Sequence, residues 1–235
     1  MNLRNHDWSY RVKESKRARK ASIRMKVFTG IEVTVPVGYD RSHIPAFLDD
    51  NAEWIVQRME DARTIRESLR PDTIQLRALD TTWQVSYIKT PGKKLELQEA
   101  SPGQLVVKGA IDDPARVTRL LNTWVRRIAK SSLIPWLERE SKRLSLPYSK
   151  ATIRHQKTRW GSCSTNGSIN LNQNLLFLDP REAEYVLQHE LCHTKEPNHS
   201  KKFWDLLTSI RPDAISVRKG LRYRDLPDWI RSPFL

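Results

Sequence analysis

Cysteine is almost missing from this chain: 235 residues hold two, Cys163 and Cys192. They form no close pair, which argues against a disulfide-stapled secreted scaffold and for a reduced, cytoplasmic setting. Long apolar runs are missing as well. No stretch approaches the roughly 20 residues of a membrane helix, so no membrane partner is expected. The opening Met1-Asn2-Leu3-Arg4-Asn5-His6-Asp7 lacks the apolar core of a secretion signal. Long linkers, internal repeats and low-complexity tracts are also lacking. Acid is in short supply: 41 Lys and Arg against 27 Asp and Glu leave a formal net charge of +14. The shortage is greatest between residues 11 and 26, where Arg11, Lys13, Lys16, Arg17, Arg19, Lys20, Arg24 and Lys26 face the single acid Glu14. Such a balance predicts an anionic substrate or partner: a nucleotide, a nucleic acid or an acidic protein segment. Lys16, Arg17 and Arg19 are the candidate phosphate contacts, against the plainer reading of a solvated basic strand pair.

What is present is the composition of a globular protein, 38% hydrophobic and 29% charged, long enough for one large or two small domains. The first part alternates apolar and polar residues. Strands are expected at Tyr10-Arg11-Val12, at Ile23–Val27, after the Phe28-Thr29-Gly30 turn at Ile31–Val35, and then, past a helix, around residues 74–76, 83–87, 95–97 and 105–107. Pro91-Gly92 and Pro102-Gly103 punctuate the later strands. That helix is expected over about 44–68, with Phe47, Leu48, Ala52, Ile55 and Met59 as its buried side. A second, long helix is expected over about 114–144, kinked or split at Pro135. Strands near Thr152–His155 and Ser168–Asn172 follow, then helices over 180–194 and from Ser200 to about Ile210, and a partly helical stretch from Asp213 to Leu235. The expected division is a β-rich, basic N-terminal region, 1–111, and a metal-binding catalytic domain, 112–235.

The chain has six histidines, and three of them fall within residues 189–199. In His189-Glu190-Leu191-Cys192-His193 the two histidines are four apart, so on a helix they share a face and can bind one metal ion. Glu190, beside the first ligand, can reach a metal-bound water as general base. A catalytic zinc needs three protein ligands and an open position. His199 is the third candidate, because Pro197 and Asn198 end the helix and let the chain turn back; a downstream carboxylate such as Asp205 is the alternative. Asp179, Pro180 and Glu182 make a strong helix start. Zinc is the default ion for three imidazoles, although other first-row divalent metals would also bind. Cys163 near His155 could form a thiol nucleophile pair, but a structural or weakly reactive cysteine is the better reading. Arg159 and Lys157 are candidates to neutralise a developing oxyanion, and Trp160 could line a pocket. Asn170 and Asn172 would share one face of a strand bordering the cleft.

Taken with Ile169-Asn170-Leu171-Asn172, the segments Arg159-Trp160-Gly161-Ser162-Cys163, His189–His193 and Asn198–Trp204 resemble the YgjP-like metallopeptidase family, relatives of the SprT-type zincins. Ser15–Arg19, Val35-Pro36 and Trp54-Ile55 extend the resemblance over nearly the whole chain. It implies an α+β fold with a zincin-like core, helices packed on a small mixed sheet, preceded by a β-rich N-terminal part. It also implies that the three histidines are metal ligands and that Glu190 is catalytic. The histidine spacing is also that of metzincins, but those proteases keep a glycine where Glu196 stands and have a downstream Met-turn that is not evident here.

Two activities compete. One is peptide hydrolysis, with an extended substrate added to the edge strand Ile169–Asn172. The other, which the resemblance also implies, is nucleoside triphosphate pyrophosphatase activity on uridine triphosphate, suited to guanidinium groups that grip phosphate oxygens. A third reading is a nucleic-acid-binding module with a structural metal; Glu190 argues against it, since a structural site needs no base.

Overall fold

The computed structural model describes residues 8–27, 29–221 and 226–231, with the backbone alone for residues 66–68. The first seven residues, Phe28 of the expected turn, and 222–225 and 232–235 of the C-terminal stretch lie outside the described residues.

Alternation sets up the first sheet. β1 (Tyr10–Glu14), β2 (Ser22–Lys26) and β3 (Gly30–Val35) are arranged in the order β1-β3-β2, with β1 parallel and β2 antiparallel to the central β3. Ile31, Val33 and Val35 point to one side and are buried. They pack with Ile44 and Leu48 of α1 (Ile44–Asp49) and Ile55 of α2 (Ala52–Ser68). The helix expected to run unbroken from 44 to 68 is therefore two. Asn51 Nδ2 donates to the Phe47 carbonyl (2.8 Å), the kind of local bond that competes with the helix ladder. Met59, expected on the buried side, is 46% exposed; the stripe runs instead through Ala52, Ile55 and Ala62.

β4 (Thr73–Leu76), β5 (Thr81–Lys89), β6 (Leu95–Ser101) and β7 (Gln104–Gly109) form a second sheet, ordered β4-β5-β7-β6. It packs on α3 (Pro114–Leu144), where Trp124 stacks edge-on against Trp83 (5.2 Å) and donates Nε1–H to Glu99 Oε1 (2.7 Å). These ties place the sheet with the C-terminal half. The chain divides into compact units at Arg70/Pro71 rather than after residue 111. α3 runs unbroken through Pro135. Burial of Leu133 and Leu137 on either side offsets the one helix bond that proline removes.

The third sheet consists of β8 (Lys150–Arg154), β9 (Gly161–Cys163) and β10 (Ser168–Asn172), ordered β8-β10-β9. β10 runs parallel to β8 and antiparallel to β9. Both edges of Ile169–Asn172 are therefore occupied, and it is not the free edge expected for a substrate; the sheet's edges are β8 and β9. Then come α4 (Pro180–Cys192), α5 (Lys201–Ile210), α6 (Ala214–Gly220) and α7 (Asp228–Arg231). Behind α4, Gln188 Nε2 donates to Glu140 Oε2 of α3 (2.9 Å), and Arg211 donates to Gln188 Oε1 (3.2 Å) and Glu184 (2.7 Å). Satisfied buried polar contacts of this kind fix one orientation of the helix. Among the described residues no helix is long and apolar enough to cross a membrane. The architecture is α+β: small mixed sheets with helices packed on them.

Candidate metal centre

α4 opens on a full capping box: the Asp179 side chain accepts from the backbone of Glu182, and Glu182 reaches back to the Asp179 backbone. The helix ends at His193, which keeps helical dihedrals, so His189 and His193 lie one turn apart on the same face. The chain then turns through Pro197 and Asn198, and Ser200 caps α5 by accepting from Phe203 N (3.5 Å). That turn returns His199 to the helix. Nε2 of His189 lies 3.2 Å from Nε2 of His193 and 3.0 Å from Nε2 of His199. With Zn–N bonds of about 2.0–2.1 Å, the nitrogens of a tetrahedral site stand roughly 3.3 Å apart. The three imidazoles therefore already have nearly the geometry of three corners of such a site, and among the described residues they are the group that could hold a metal ion. Asp205, the alternative third ligand, is bonded to Lys201 (2.8 Å).

The far ring nitrogens support the same arrangement. His193 Nδ1 meets the Glu196 carbonyl at 3.0 Å and His189 Nδ1 meets the Tyr185 hydroxyl at 3.4 Å. A proton held on Nδ1 leaves the Nε2 lone pair free for a metal. Phe203, fully buried, has its ring centroid 4.5–4.9 Å from all three imidazoles and forms their floor. Burial, then the nearby His193, His199 and Arg218, pulls the pKa of His189 down to about 3. His193 and His199 are also lowered, chiefly by burial. The three imidazoles are therefore neutral at physiological pH, the form in which histidine can bind a metal.

Glu190 is 5% exposed, and burial pushes its pKa up to about 8 against the pull of the Arg159 charge. Its Oε2 is buried without a hydrogen-bond partner. A carboxylate oxygen left without a protein partner next to three converging imidazoles suits a group that serves a metal-bound ligand. Against it runs the backbone of β9: a Cβ built on Gly161 would lie 2.5 Å from Glu190 Oε1 and 2.7 Å from its Cγ. Glycine is the side chain that lets strand and carboxylate approach so closely.

Arg159 is exposed, and its charge acts on Glu190. Lys157 is exposed and acts on His155. Trp160 is half-buried, and its carbonyl accepts from Asn172 N (2.9 Å). Asn172 is buried. Its Nδ2 donates to the carbonyls of Gln156 (2.7 Å) and Arg159 (2.8 Å), and its Oδ1 accepts from Asn174 N (3.1 Å). Asn172 thus pins the loop that carries Arg159. Asn170 bonds laterally to Thr152 (2.5 Å) and Ser162 (3.4 Å), across all three strands. Lys16, Arg17 and Arg19 are exposed in the N-terminal unit. Burial, and then Glu190, raises the Cys163 thiol to about 11, and its sulfur contacts the Ser164 carbonyl rather than His155. At that pKa it is a weak nucleophile.

Sequence reasoning missed Tyr185, Gly161 and Arg218. Tyr185 was legible one turn before His189. Arg218, on α6, lies over the Trp204 ring (4.9 Å), which itself stacks on His199 (5.9 Å, 29°). No local spacing betrays that partnership.

Three neutral imidazoles, a buried carboxylate and an α+β frame define a metal-dependent hydrolase. Residues 19–224 match the YgjP-like metallopeptidase domain, and the chain belongs to that family. Among solved structures it is similar to the metallopeptidase zymogen abylysin of Pyrococcus abyssi, at 29% identity over 36% of this chain and 86% of that one, with a TM-score of 0.33. It is also similar to the zymogen jannalysin of Methanocaldococcus jannaschii, at 22% identity over 36% and 88%, with a TM-score of 0.32. No curated protein matches it.

His199→Ala is expected to weaken zinc binding by at least about 100-fold, more than the loss of an outer partner such as the Tyr185 hydroxyl would. Competition against a chromophoric chelator measures this, and unchanged affinity would place the third ligand elsewhere.

Proposed function

We propose that this chain is a zinc-dependent peptidase in which His189, His193 and His199 hold the metal and Glu190 is the general base. The observation that carries the reading is the convergence of three Nε2 atoms beside a buried carboxylate whose Oε2 has no protein partner. Zinc bound there would polarise the scissile carbonyl and bring the pKa of its water toward neutrality. Glu190 takes the proton of the attacking water on Oε2 and hands it to the departing amine. Burial raises its pKa in the metal-free protein, and the charge of a bound metal would pull it back down, leaving the carboxylate ionised and able to accept the proton. Arg159 and Arg218 bring positive charge to the site, the first acting on Glu190 and the second on His189 and His199. Their charge would offset charge that develops on the carbonyl oxygen. β9 is an edge strand and passes against Glu190, so an extended peptide can pair with its outer side.

The test is cleavage of unfolded casein and of a panel of quenched fluorescent peptides by the zinc-loaded protein. Cleavage should be lost to chelator and restored by zinc. No cleavage by protein shown to hold zinc would count against the peptidase reading.

Phosphoanhydride hydrolysis is the second reading, favoured by the two guanidinium groups that act on the site. Pyrophosphate release from uridine triphosphate and the other three nucleoside triphosphates, by the same zinc-loaded protein, tests it directly.

A further inference from the structure

The outer face of the first sheet is built from charge. Residues on β1, β3 and β2 that point away from the Ile31–Val33–Val35 core are Arg11 and Lys13, Glu32 and Thr34, and Ser22, Arg24 and Lys26. The register sets them in rows: Arg11 opposite Glu32 opposite Arg24, and Lys13 opposite Thr34 opposite Ser22. The cations thus stand on the two outer strands, flanking β3, in lines roughly 10 Å apart. The loop between β1 and β2 continues the strip beyond Lys13 with exposed Lys16, Arg17, Arg19 and Lys20. The acids are already engaged: Glu32 with Lys26 (2.5 Å) and Glu14 with Arg41 (2.6 Å). Lys26, Lys13 and Arg24 all lower the pKa of Glu32, the hydrogen bond from Lys26 most, although burial opposes them. Among the described residues, no ion pair engages Arg11, Lys13, Lys16, Arg17, Arg19, Lys20 or Arg24.

Each kind of anionic partner asks something different of such a face. A single nucleotide wants a concave site with converging donors, whereas these charges are spread along a strand length of about 17 Å. A protein partner wants buried aromatic or aliphatic anchors, and the outward positions here carry no apolar side chain. A lipid surface wants apolar residues to insert beneath the headgroups, and these are lacking for the same reason. Single strands are held by stacking on aromatic rings, but Tyr10, the aromatic residue of these three strands, packs on the core side. Spread cations without apolar anchors or stacking rings match the phosphate backbone of a duplex, where charge neutralisation and counterion release supply the affinity.

We propose that the outer face of the β1-β3-β2 sheet, with the Ser15–Ala21 loop, binds the backbone of double-stranded nucleic acid without regard to base sequence. The inference is independent of the peptidase reading, because it uses residues of the N-terminal unit and needs neither the metal nor Glu190.

The test is fluorescence anisotropy of the full chain with a short random-sequence DNA duplex across a salt series. Engaging about six phosphates predicts a slope of log K against log salt near −5. Changing Arg11, Lys13 and Arg24 together to Gln should flatten that slope by about 2.7, since each phosphate contact contributes about 0.9. Glu32→Gln, which removes the one acid within the face, should tighten binding several-fold; this gain does not depend on how well the triple variant folds. Changing Lys89, Lys94 and Arg127 of the other unit to Gln should leave the slope unchanged. An unchanged slope in the triple variant together with no gain in Glu32→Gln would overturn the proposal. So would tighter binding to a single strand than to the duplex, or equal competition by polyglutamate or phosphatidylserine vesicles.

Discussion

Glu190→Gln should leave zinc in place and remove hydrolysis. The three proposed ligands are imidazoles whose Nε2 atoms converge without help from Glu190, so metal content and affinity should match those of the wild type. Glutamine fills the same space but cannot accept the proton of the attacking water, and the loss should be at least about 10²–10⁴-fold in kcat. A variant that keeps its rate would remove Glu190 from the mechanism. The metal-free protein offers a second readout. The folded-state pKa of Glu190 is raised from 4.5 to about 8, first by burial. A raised carboxylate contributes nothing unfavourable below pH 4.5, where it is protonated in both states. Between pH 4.5 and about 8 the unfolded chain releases that proton and the folded chain does not, so stability falls as pH rises. The slope from this group is at most about 1.4 kcal/mol per pH unit. Glutamine has no such slope. Metal-free Glu190→Gln should therefore melt with the wild type near pH 4 and above it at pH 8. A difference that failed to grow with pH would contradict the burial argument.

That same burial shows what the sequence could reveal. Helical spacing puts Glu190 only about 20° from Ala183 on the wheel, on the apolar side of α4 rather than with the histidines. The convergence of the three histidines, the capping box at Asp179 and the turn at Pro197-Asn198 are local features, fixed by spacing within a few residues, so they were readable. α3 and the strands were readable for the same reason, because alternation and helical periodicity need no knowledge of neighbours. The central place of β10 was not legible, since one edge bonds to β8 and the other to β9, and alternation along a strand says nothing about how many partners it has. Asn172 carried no signal of its structural duty either. Its partners are carbonyls 13 and 16 residues away, whose positions depend on the loop they pin. Arg218 meets Trp204 through the packing of α6 near α5, a tertiary outcome. The division at Arg70/Pro71 was missed because strand content was taken as the guide, whereas Trp83 and Glu99 join the second sheet to α3.

Gly161→Ala should inactivate the enzyme without touching a ligand. The added methyl would lie 2.5 Å from Glu190 Oε1, 2.7 Å from Cγ and 2.8 Å from Cδ, distances that force one partner to move. Glu190 is not a free side-chain tip: it is 5% exposed and rides on a helix held from behind by Gln188 and Glu140. β9 is held in turn by its pairing with β10. The carboxylate is the part that yields, and displacing a catalytic group by about 1 Å costs on the order of 100-fold. The expectation is a kcat lower by about that factor, intact zinc affinity, and a stability loss of about 1–3 kcal/mol from overpacking. A double-mutant cycle separates this account from simple unfolding. If Gly161 acts by giving Glu190 its position, then in a Glu190→Gln background, where the base is already gone, Gly161→Ala should cost almost nothing further in rate. Full additivity of the two losses would mean that Gly161 serves the fold or the substrate strand rather than the carboxylate.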